Sequence, residues 1–333
     1  MQDSPLLDDL DRRVVHALQL SPRASWAQVG AVLGVDPVTA ARRWERLRAD
    51  GVAWITAYPA PTSTRGPMAL VEIDSAGRSL DIADRLADDR ECATIDITSG
   101  GRDLMLSVTA RDLAGLTDYL LHRLGALEHV RSIRTHLSTR VITEGSGWRL
   151  PALTESEQAR LQVASGPVDR AATAVLSAAE RAVLSGLVAD GRASTAELAA
   201  STGMNPRRVR DLVRDLLRSG RLVLRTELQA EASGWPIYAW FFLRVPAAAA
   251  TTISPRLGSL PEIRTVLQIA GPSNLIMAVW LRELTDVSRL EAAVERQLKE
   301  VEIVDRCVVL RCTKRVGVVL DETGRRVRTV PML

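Results

Sequence analysis

Apolar residues set the first pattern. Leu7, Leu10, Val14 and Leu18 recur at helical spacing, and the same spacing returns at Leu176, Val183, Leu184 and Leu187. Breaks follow at Ser21-Pro22 and at Asp190-Gly191. Ser25-x-x-Gln28 and Ser194-x-x-Glu197 then read as capping boxes, each opening a short helix that stops at Gly34 or Gly203. Asp36-Pro37 and Asn205-Pro206 pair an N-cap with a proline at the first helical position. The helix they open runs to Gly51 or Gly220, with Ala40, Trp44 and Leu47, or Val209, Leu212, Val213 and Leu216, along one side. Val52–Thr56 and Leu222–Thr226 follow as short strands. Three helices, a tight glycine turn before the third, and a strand predict a winged helix-turn-helix.

Beyond each strand the pattern changes. Ala69–Asp74, Ala93–Thr98, Leu104–Thr109 and Val130–Val141 read as strands, with helices at Arg78–Ala87 and Asp112–Leu124. The order is β-α-β-β-α-β, and it returns as Ile237–Val245, Ala247–Leu257, Arg264–Ile269, Asn274–Leu281, Leu284–Glu300 and Ile303–Lys314. Two helices on one face of an antiparallel sheet is a ferredoxin-like plan.

The two halves are related in sequence. A shift of 169 lays Leu7–Thr56 on Leu176–Arg225 without a gap and gives thirteen identical pairs, among them Arg23/Arg192, Gly34/Gly203, Pro37/Pro206 and Gly51/Gly220. A shift of 171 aligns Gly100/Gly271, Leu104/Leu275, Val108/Val279 and Leu113/Leu284. So long a period indicates a duplicated domain pair. The expected chain is α+β: two winged helix-turn-helix domains (1–58 and 173–228) alternating with two ferredoxin-like βαββαβ domains (66–142 and 234–316). Residues 143–172 read as a linker. The tail from 317 to 333 reads as a loosely held strand or basic arm. Arg65-Gly66-Pro67 and Ser233-Gly234-Trp235-Pro236 mark where the sheet domains begin.

Composition narrows the function classes. The 333 residues are 46% apolar and 25% charged, as in a soluble globular protein. No apolar run approaches a bilayer span, and the acidic N-terminus lacks the apolar core of a signal peptide, so the expected location is the cytoplasm. Cys92, Cys307 and Cys312 lack metal-binding spacing and read as buried free thiols. A net charge of +3 does not itself argue for nucleic acid, so any such case rests on local charge.

That local charge lies on the third helices. Thr39, Arg42, Arg43 and Arg46 stand off the apolar side of the first, and Arg207, Arg208, Arg210 and Arg214 off that of the second. Residues 36–56 balance at +1 and residues 205–225 at +5. Arginine grips phosphate or guanine with paired hydrogen bonds, so these eight residues are the expected DNA contacts. A second candidate is the glycine turn at Gly100, Gly101 and Asp103, with Gly271 and Asn274 in the second half. Its backbone N–H groups could receive the carboxylate of a small zwitterion and Asp103 its ammonium; the plain alternative is a hairpin turn. Catalytic groupings are poor. His122, His129 and His136 are seven apart across a probable break and read as surface or interface histidines, and no metalloprotease, phosphate-loop, dinucleotide or nucleophile-elbow motif occurs. No enzyme, cofactor or metal is expected.

A winged helix-turn-helix followed by β-α-β-β-α-β resembles the Lrp/AsnC family. The likeness rests on Leu10-Asp11, Leu33-Gly34-Val35, Arg43, Arg46-Leu47 and Gly51-Val52, and in the RAM-type sheet domain on Gly100, Asp103 and Leu104–Val108. It implies a sequence-specific transcriptional regulator whose partners are double-stranded DNA and an amino acid or similar effector. It also implies homo-oligomers built through the sheet domains. Two fused copies depart from the usual single-copy plan, and the second copy departs further, with Leu212 where the first has Arg43 and Asp215 where it has Arg46. Siroheme decarboxylases resemble the same fold and form the rival class, with histidines and aromatics expected on the second and third sheet strands. Thr94–Thr109 offers neither, and Arg264–Leu281 offers only Trp280. A ligand sensor that has lost DNA is the third possibility.

Overall fold

The computed structural model describes residues 7–60, 66–165, 176–258 and 260–332. Its first helices are α1 (Asp9–Leu20), α2 (Trp26–Leu33) and α3 (Pro37–Ala49), each started by a side-chain cap. Asp8 and Asp11 form a capping box at α1, Ser25 and Gln28 form one at α2, and Asp36 caps α3 ahead of Pro37. Gly34 ends α2 at φ 71°, a left-handed turn that any Cβ would strain. Val14, Leu18, Val29, Leu33, Ala40, Trp44 and Leu47 close the core between the three helices. From Ala178 the same devices recur. They build α7 (Ala178–Ala189), α8 (Thr195–Thr202) and α9 (Pro206–Arg218) around Val183, Leu187, Leu198, Val209, Val213 and Leu216.

The strands after these units do not fold back as separate wings. β1 (Ala53–Pro59) pairs antiparallel with β6 (Leu222–Leu228), and Thr56 faces Arg225 at the centre of the register. Those two residues are 169 apart, so the ribbon is symmetric about them. Reciprocal contacts continue that symmetry. Arg23 donates to the carbonyls of Gly191 and Ala193, and Arg192 donates to those of Pro22 and Ala24. A contact in which the same patch meets its own counterpart is what a two-fold pairing produces.

Eight of the remaining strands close into a ring. The first half contributes β2 (Met68–Asp74), β3 (Cys92–Thr98), β4 (Leu104–Thr109) and β5 (Ser132–Thr143), in the order β5-β2-β4-β3. The second contributes β7 (Ile237–Arg244), β8 (Ile263–Ala270), β9 (Leu275–Leu281) and β10 (Glu302–Arg315), in the order β10-β7-β9-β8. The long last strands join them. β5 pairs with β2 up to Leu137 and then with β8; β10 pairs with β7 up to Val309 and then with β3. Both cross over at bulges, which bend a strand and let it change partner. The bulges lie at Ser138/Arg140 and Val141/Thr143 in β5, and at Val309/Arg311 and Cys312/Lys314 in β10. Each pair of bulges is 171 residues apart.

Helices cover the outside of each half. They are α4 (Ser79–Leu86) and α5 (Leu113–Asp118, continued by a π-helical turn over Tyr119–Leu124), then, after the short α10 (Ala230–Ser233), α11 (Ala247–Gly258) and α12 (Thr285–Gln297). Ala69, Val71 and Ile73 of β2 face the helices, whereas Leu70 faces Met105, Trp240, Phe242 and Ile269 inside the ring.

Two connecting segments are more ordered than their composition suggests. In the expected linker, Trp148 is buried and α6 (Glu155–Ser165) packs on the first helical unit; residues 166–172 lie outside the described residues. Nδ1 of buried His16 accepts from the N–H groups of Ala152 and Leu153 at 3.1 and 3.0 Å, and Gln19 accepts from Leu150 at 2.8 Å. The tail, expected to be loosely held, forms β11 (Val318–Leu320) and β12 (Arg326–Thr329) at the edge of β10. Arg326 N–H bonds to the carbonyl of Gly51, where a Cβ would come within 2.7 Å of the Arg326 oxygen. The residue after α3 must be small because the tail lies against it. Of the Arg65-Gly66-Pro67 boundary, Arg65 lies outside the described residues.

Two outcomes follow. Arg23→Ala removes two charge-assisted hydrogen bonds and should lower unfolding stability by about 2 kcal/mol, with a similar loss for Arg192→Ala, read by urea denaturation. Burial, helped by nearby Arg149, pulls His16 from 6.5 to about 4, so the fold favours its neutral form. That contribution is complete above pH 6.5 and fades as pH falls toward 4. Stability should therefore drop between pH 6.5 and 5, and His16→Gln should flatten the drop.

Candidate nucleic-acid interface

In α9, Val209, Val213 and Leu216 point inward, which leaves Arg207, Arg208, Arg210 and Arg214 on the exposed side. Arg214 pairs with Asp211 at 2.9 Å and Asp215 at 3.3 Å; the other three have no ion-pair partner among the described residues. In α3, Ala40, Trp44 and Leu47 point inward. Val38 is 74% exposed, Arg42 is exposed and Thr39 is half-buried. Both helices therefore present their arginines outward. The first helix nevertheless spends two of them on the protein. Arg43 bonds to Asp8 and, at 3.2 Å, to Asp11, and Arg46 bonds to Asp11. These contacts between Asp8, Asp11 and α3 are not among the sequence expectations. The available signal was two acids at the start of α1 where the second unit has one, Ser177 standing at the position of Asp8 and Glu180 at that of Asp11.

The glycine turns are also built differently from the zwitterion reading. Gly100 (φ 87°) and Gly101 are exposed, but the Asp103 carboxylate accepts from the Ser75 N–H at 2.7 Å and the Ser75 hydroxyl at 2.9 Å. Asn274 accepts from the Val245 N–H at 2.9 Å and donates to the Val245 carbonyl at 2.8 Å. Both side chains tie a hairpin turn to the loop after the first strand of its half. Gly271 is exposed, and a Cβ there would lie 3.4 Å from His136 Nδ1.

Arg102, between Gly101 and Asp103, turns the other way, into the ring. Its Nε donates to Glu72 at 2.7 Å, another nitrogen pairs with Asp305, and its guanidinium lies 4.2 Å from the Phe242 ring centroid. His136 Nε2 meets Glu72 at 2.7 Å. Burial pushes the Glu72 carboxyl up, but His136 and Arg102 hold it below the ordinary glutamate value. Nearby, buried Asp96 accepts from Trp240 Nε1 at 3.0 Å, and burial pushes its carboxyl up to about 6. Of the three spaced histidines, His122 and His129 are exposed, but His136 is an interior residue. The sequence signal for this group was slight: Glu72 follows Met68 and Leu70 on one strand face, but His136 shares its face with Arg134 and Ser138, where alternation reads it as solvent-facing.

A second buried charge group sits where the β1–β6 ribbon meets the ring. Glu227 pairs with Arg225, Arg264 and Arg315, and the Arg264 guanidinium stacks 3.7 Å from the Trp280 ring centroid. Among the described residues no group of three or more His, Cys, Asp or Glu is placed to hold a metal, and no helix is long and apolar enough to cross a membrane.

Residues 7–48 match the AsnC-type helix-turn-helix domain, and residues 68–148 match the Lrp/AsnC ligand binding domain. The chain is 28% identical over 142 residues to an uncharacterized HTH-type transcriptional regulator of Pyrococcus furiosus, covering 41% of this chain and 94% of that protein. It is 28% identical over 141 residues to another from Pyrococcus abyssi, covering 40% of this chain and 87% of that protein. Over 93% of both chains the fold is similar to the siroheme decarboxylase NirDL, crystallised with an iron-uroporphyrin III analogue, at a TM-score of 0.62 and 12% identity. That likeness corrects the expectation of a chain that is not an enzyme, because an enzyme stands on this fold over the same length. The expectation looked for histidines and aromatics on the second and third sheet strands. In this chain they enter the ring from other strands, as His136 on β5 and Trp240 and Phe242 on β7.

Because Asp103 braces Ser75, Asp103→Ala should cost about 1–2 kcal/mol in chemical denaturation. Asp103→Asn should cost less, since Asn274 holds the matching loop of the second half.

Proposed function

We propose that this chain, whose residues 7–48 and 68–148 match an AsnC-type helix-turn-helix domain and an Lrp/AsnC ligand binding domain, is a two-copy DNA-binding transcription regulator. In it the second half supplies the partner that a single-copy protein takes from another subunit. One observation carries the reading. Two arginine-bearing helices face outward from a single body, held about a pseudo-two-fold axis by the β1–β6 ribbon and the reciprocal contacts of Arg23 and Arg192. α3 would approach one major groove with Val38, Thr39 and Arg42, and α9 the next with Arg207, Arg208, Arg210 and Arg214. Half-sites should lie about 10 bp apart, and because the two faces differ, the operator should be asymmetric.

An amino acid or similar small acid at the turns would be held by the exposed backbone of Gly100, Gly101 and Gly271, with Asp103 and Asn274 bracing those turns. Homo-oligomers through the sheet domains are part of the same proposal. Leu113 and Leu284, at matching positions of the two halves, are 62% and 61% exposed and support it. The proposed location is the cytoplasm, where the DNA is.

A tetrapyrrole enzyme is the second reading, favoured by the full-length likeness to NirDL and by the polar group of Glu72, Arg102 and His136 inside the ring. Footprinting on the DNA upstream of the protein's own gene separates the two. Two unequal protected half-sites are expected. Absence of protection, together with tight binding in a siroheme titration, would replace the regulator with the enzyme.

A further inference from the structure

We propose that Asp8 and Asp11 act as built-in phosphate mimics that hold Arg43 and Arg46 off the duplex, leaving α9 as the anchoring helix. This rests on the DNA-binding reading above and assigns unequal roles to its two units.

The argument starts from matched positions. Where the first unit has Asp8 and Asp11, the second has Ser177 and Glu180; where the first has Arg43 and Arg46, the second has Leu212 and Asp215. The second unit thus lacks both arginines of the set and keeps one of its two acids, Glu180. Glu180 turns instead to Arg221 at 2.6 Å, a residue beyond the end of α9 that stands where the first unit has Val52. The α9 arginines are not drawn back by the acids of their own unit's first helix. Arg207, Arg208, Arg210 and Arg218 have no ion-pair partner among the described residues, and Arg214 has only the exposed Asp211 and Asp215. On α3, Arg48 is taken by Glu45, Arg43 by Asp8 and Asp11, and Arg46 by Asp11. Arg42 alone remains without an ion-pair partner among the described residues.

Asp8 is half-exposed, but Asp11 is 1% exposed, so lifting both arginines away would leave a buried carboxylate with no cation and only the Asp8 N–H of the capping box. A phosphate would have to replace hydrogen bonds already made rather than add new ones, and counterion release would gain little. The acid–base pairing is mutual. Hydrogen bonds to Asp8 and Asp11 raise Arg43 above the ordinary arginine value. Burial raises Asp8, but the Asp11 N–H and Arg43 together hold it below the ordinary aspartate value. α3 is left with Val38, Thr39 and Arg42, suited to reading base edges but supplying little charge.

The test is equilibrium binding of the full chain to its own upstream duplex across a salt series. Arg207→Ala/Arg208→Ala/Arg210→Ala should reduce the salt slope by about 2.7 units, near 0.9 per lost phosphate contact. Arg43→Ala/Arg46→Ala should change it by less than about 0.5. Asp8→Asn, at a half-exposed site that α1 tolerates, should steepen the slope by about one unit as Arg43 becomes available. Circular dichroism melts identify any variant that fails to fold; Asp8→Asn keeps the test decisive if the Arg43/Arg46 variant does. A large slope loss from the α3 variant with little from the α9 variant, or an unchanged or shallower slope for Asp8→Asn, overturns the inference and leaves DNA binding intact. Absence of duplex affinity in the unmodified chain at every salt concentration sinks the DNA-binding reading itself, and this inference with it.

Discussion

The crossing of β5 and β10 is the constraint on which the rest depends. Each strand begins as the last strand of its own half and ends as a partner of the other. A half-sheet alone would expose the edges of β3 and β5, or of β8 and β10, and edges are unpaired backbone donors and acceptors. The crossing strands satisfy them and close the ring. They also fix the direction in which the chain leaves each half. Trp148, just past β5, packs against Trp235 and Trp280 of the second half, and Gly317, just past β10, bonds back to Ala93 of the first. The start of the linker and the tail are ordered because the strands deliver them onto the opposite half.

The same closure makes the ring interior a costly place for polar groups. Glu72, Arg102, His136 and Asp96 sit among Leu70, Met105, Trp240 and Phe242, where an unpaired charge is not tolerated. Glu72 is bonded to both Arg102 and His136 and stays ionised. Asp96 accepts from Trp240 but has no ion-pair partner among the described residues, and burial pushes its carboxyl toward the neutral form. One buried acid is thus paired with cations and the other is not. The two acids are therefore held in different states within the same interior.

The helices and strands were legible because each carries a local signal. Ser25 with Gln28, Asp36 with Pro37, and Gly34 act within one turn, and the structure uses all of them. The ferredoxin-like order was legible for the same reason, with Leu104–Thr109 bounded as its alternation indicates. What was not legible was anything decided across the chain. The strands after Gly51 and Gly220 look like wings until their register shows that they pair with each other. Asp103 looks available for an ammonium until Ser75, 28 residues earlier, is placed beside it. Glu144 to Leu150 reads as linker because glycine and serine dominate locally, and only the aromatic cluster of the second half explains its buried tryptophan.

Asymmetry between the halves follows from the same logic. A two-fold body made from one chain can change one half without changing the other, which a homodimer cannot do. Residues that hold the pair together keep their symmetry: Arg23 and Arg192 make the same two bonds, and the bulges of β5 and β10 stand at matched positions. Residues on the outer side differ between the halves, as Asp8/Ser177 and Arg46/Asp215 show, and Leu212, at the position of Arg43, packs on the core of its own unit instead. Contacts across the axis must satisfy both halves at once, so a change on one side strands a partner on the other. The outer faces of α3 and α9 answer only to what they meet in solution, and there each unit has taken its own charge.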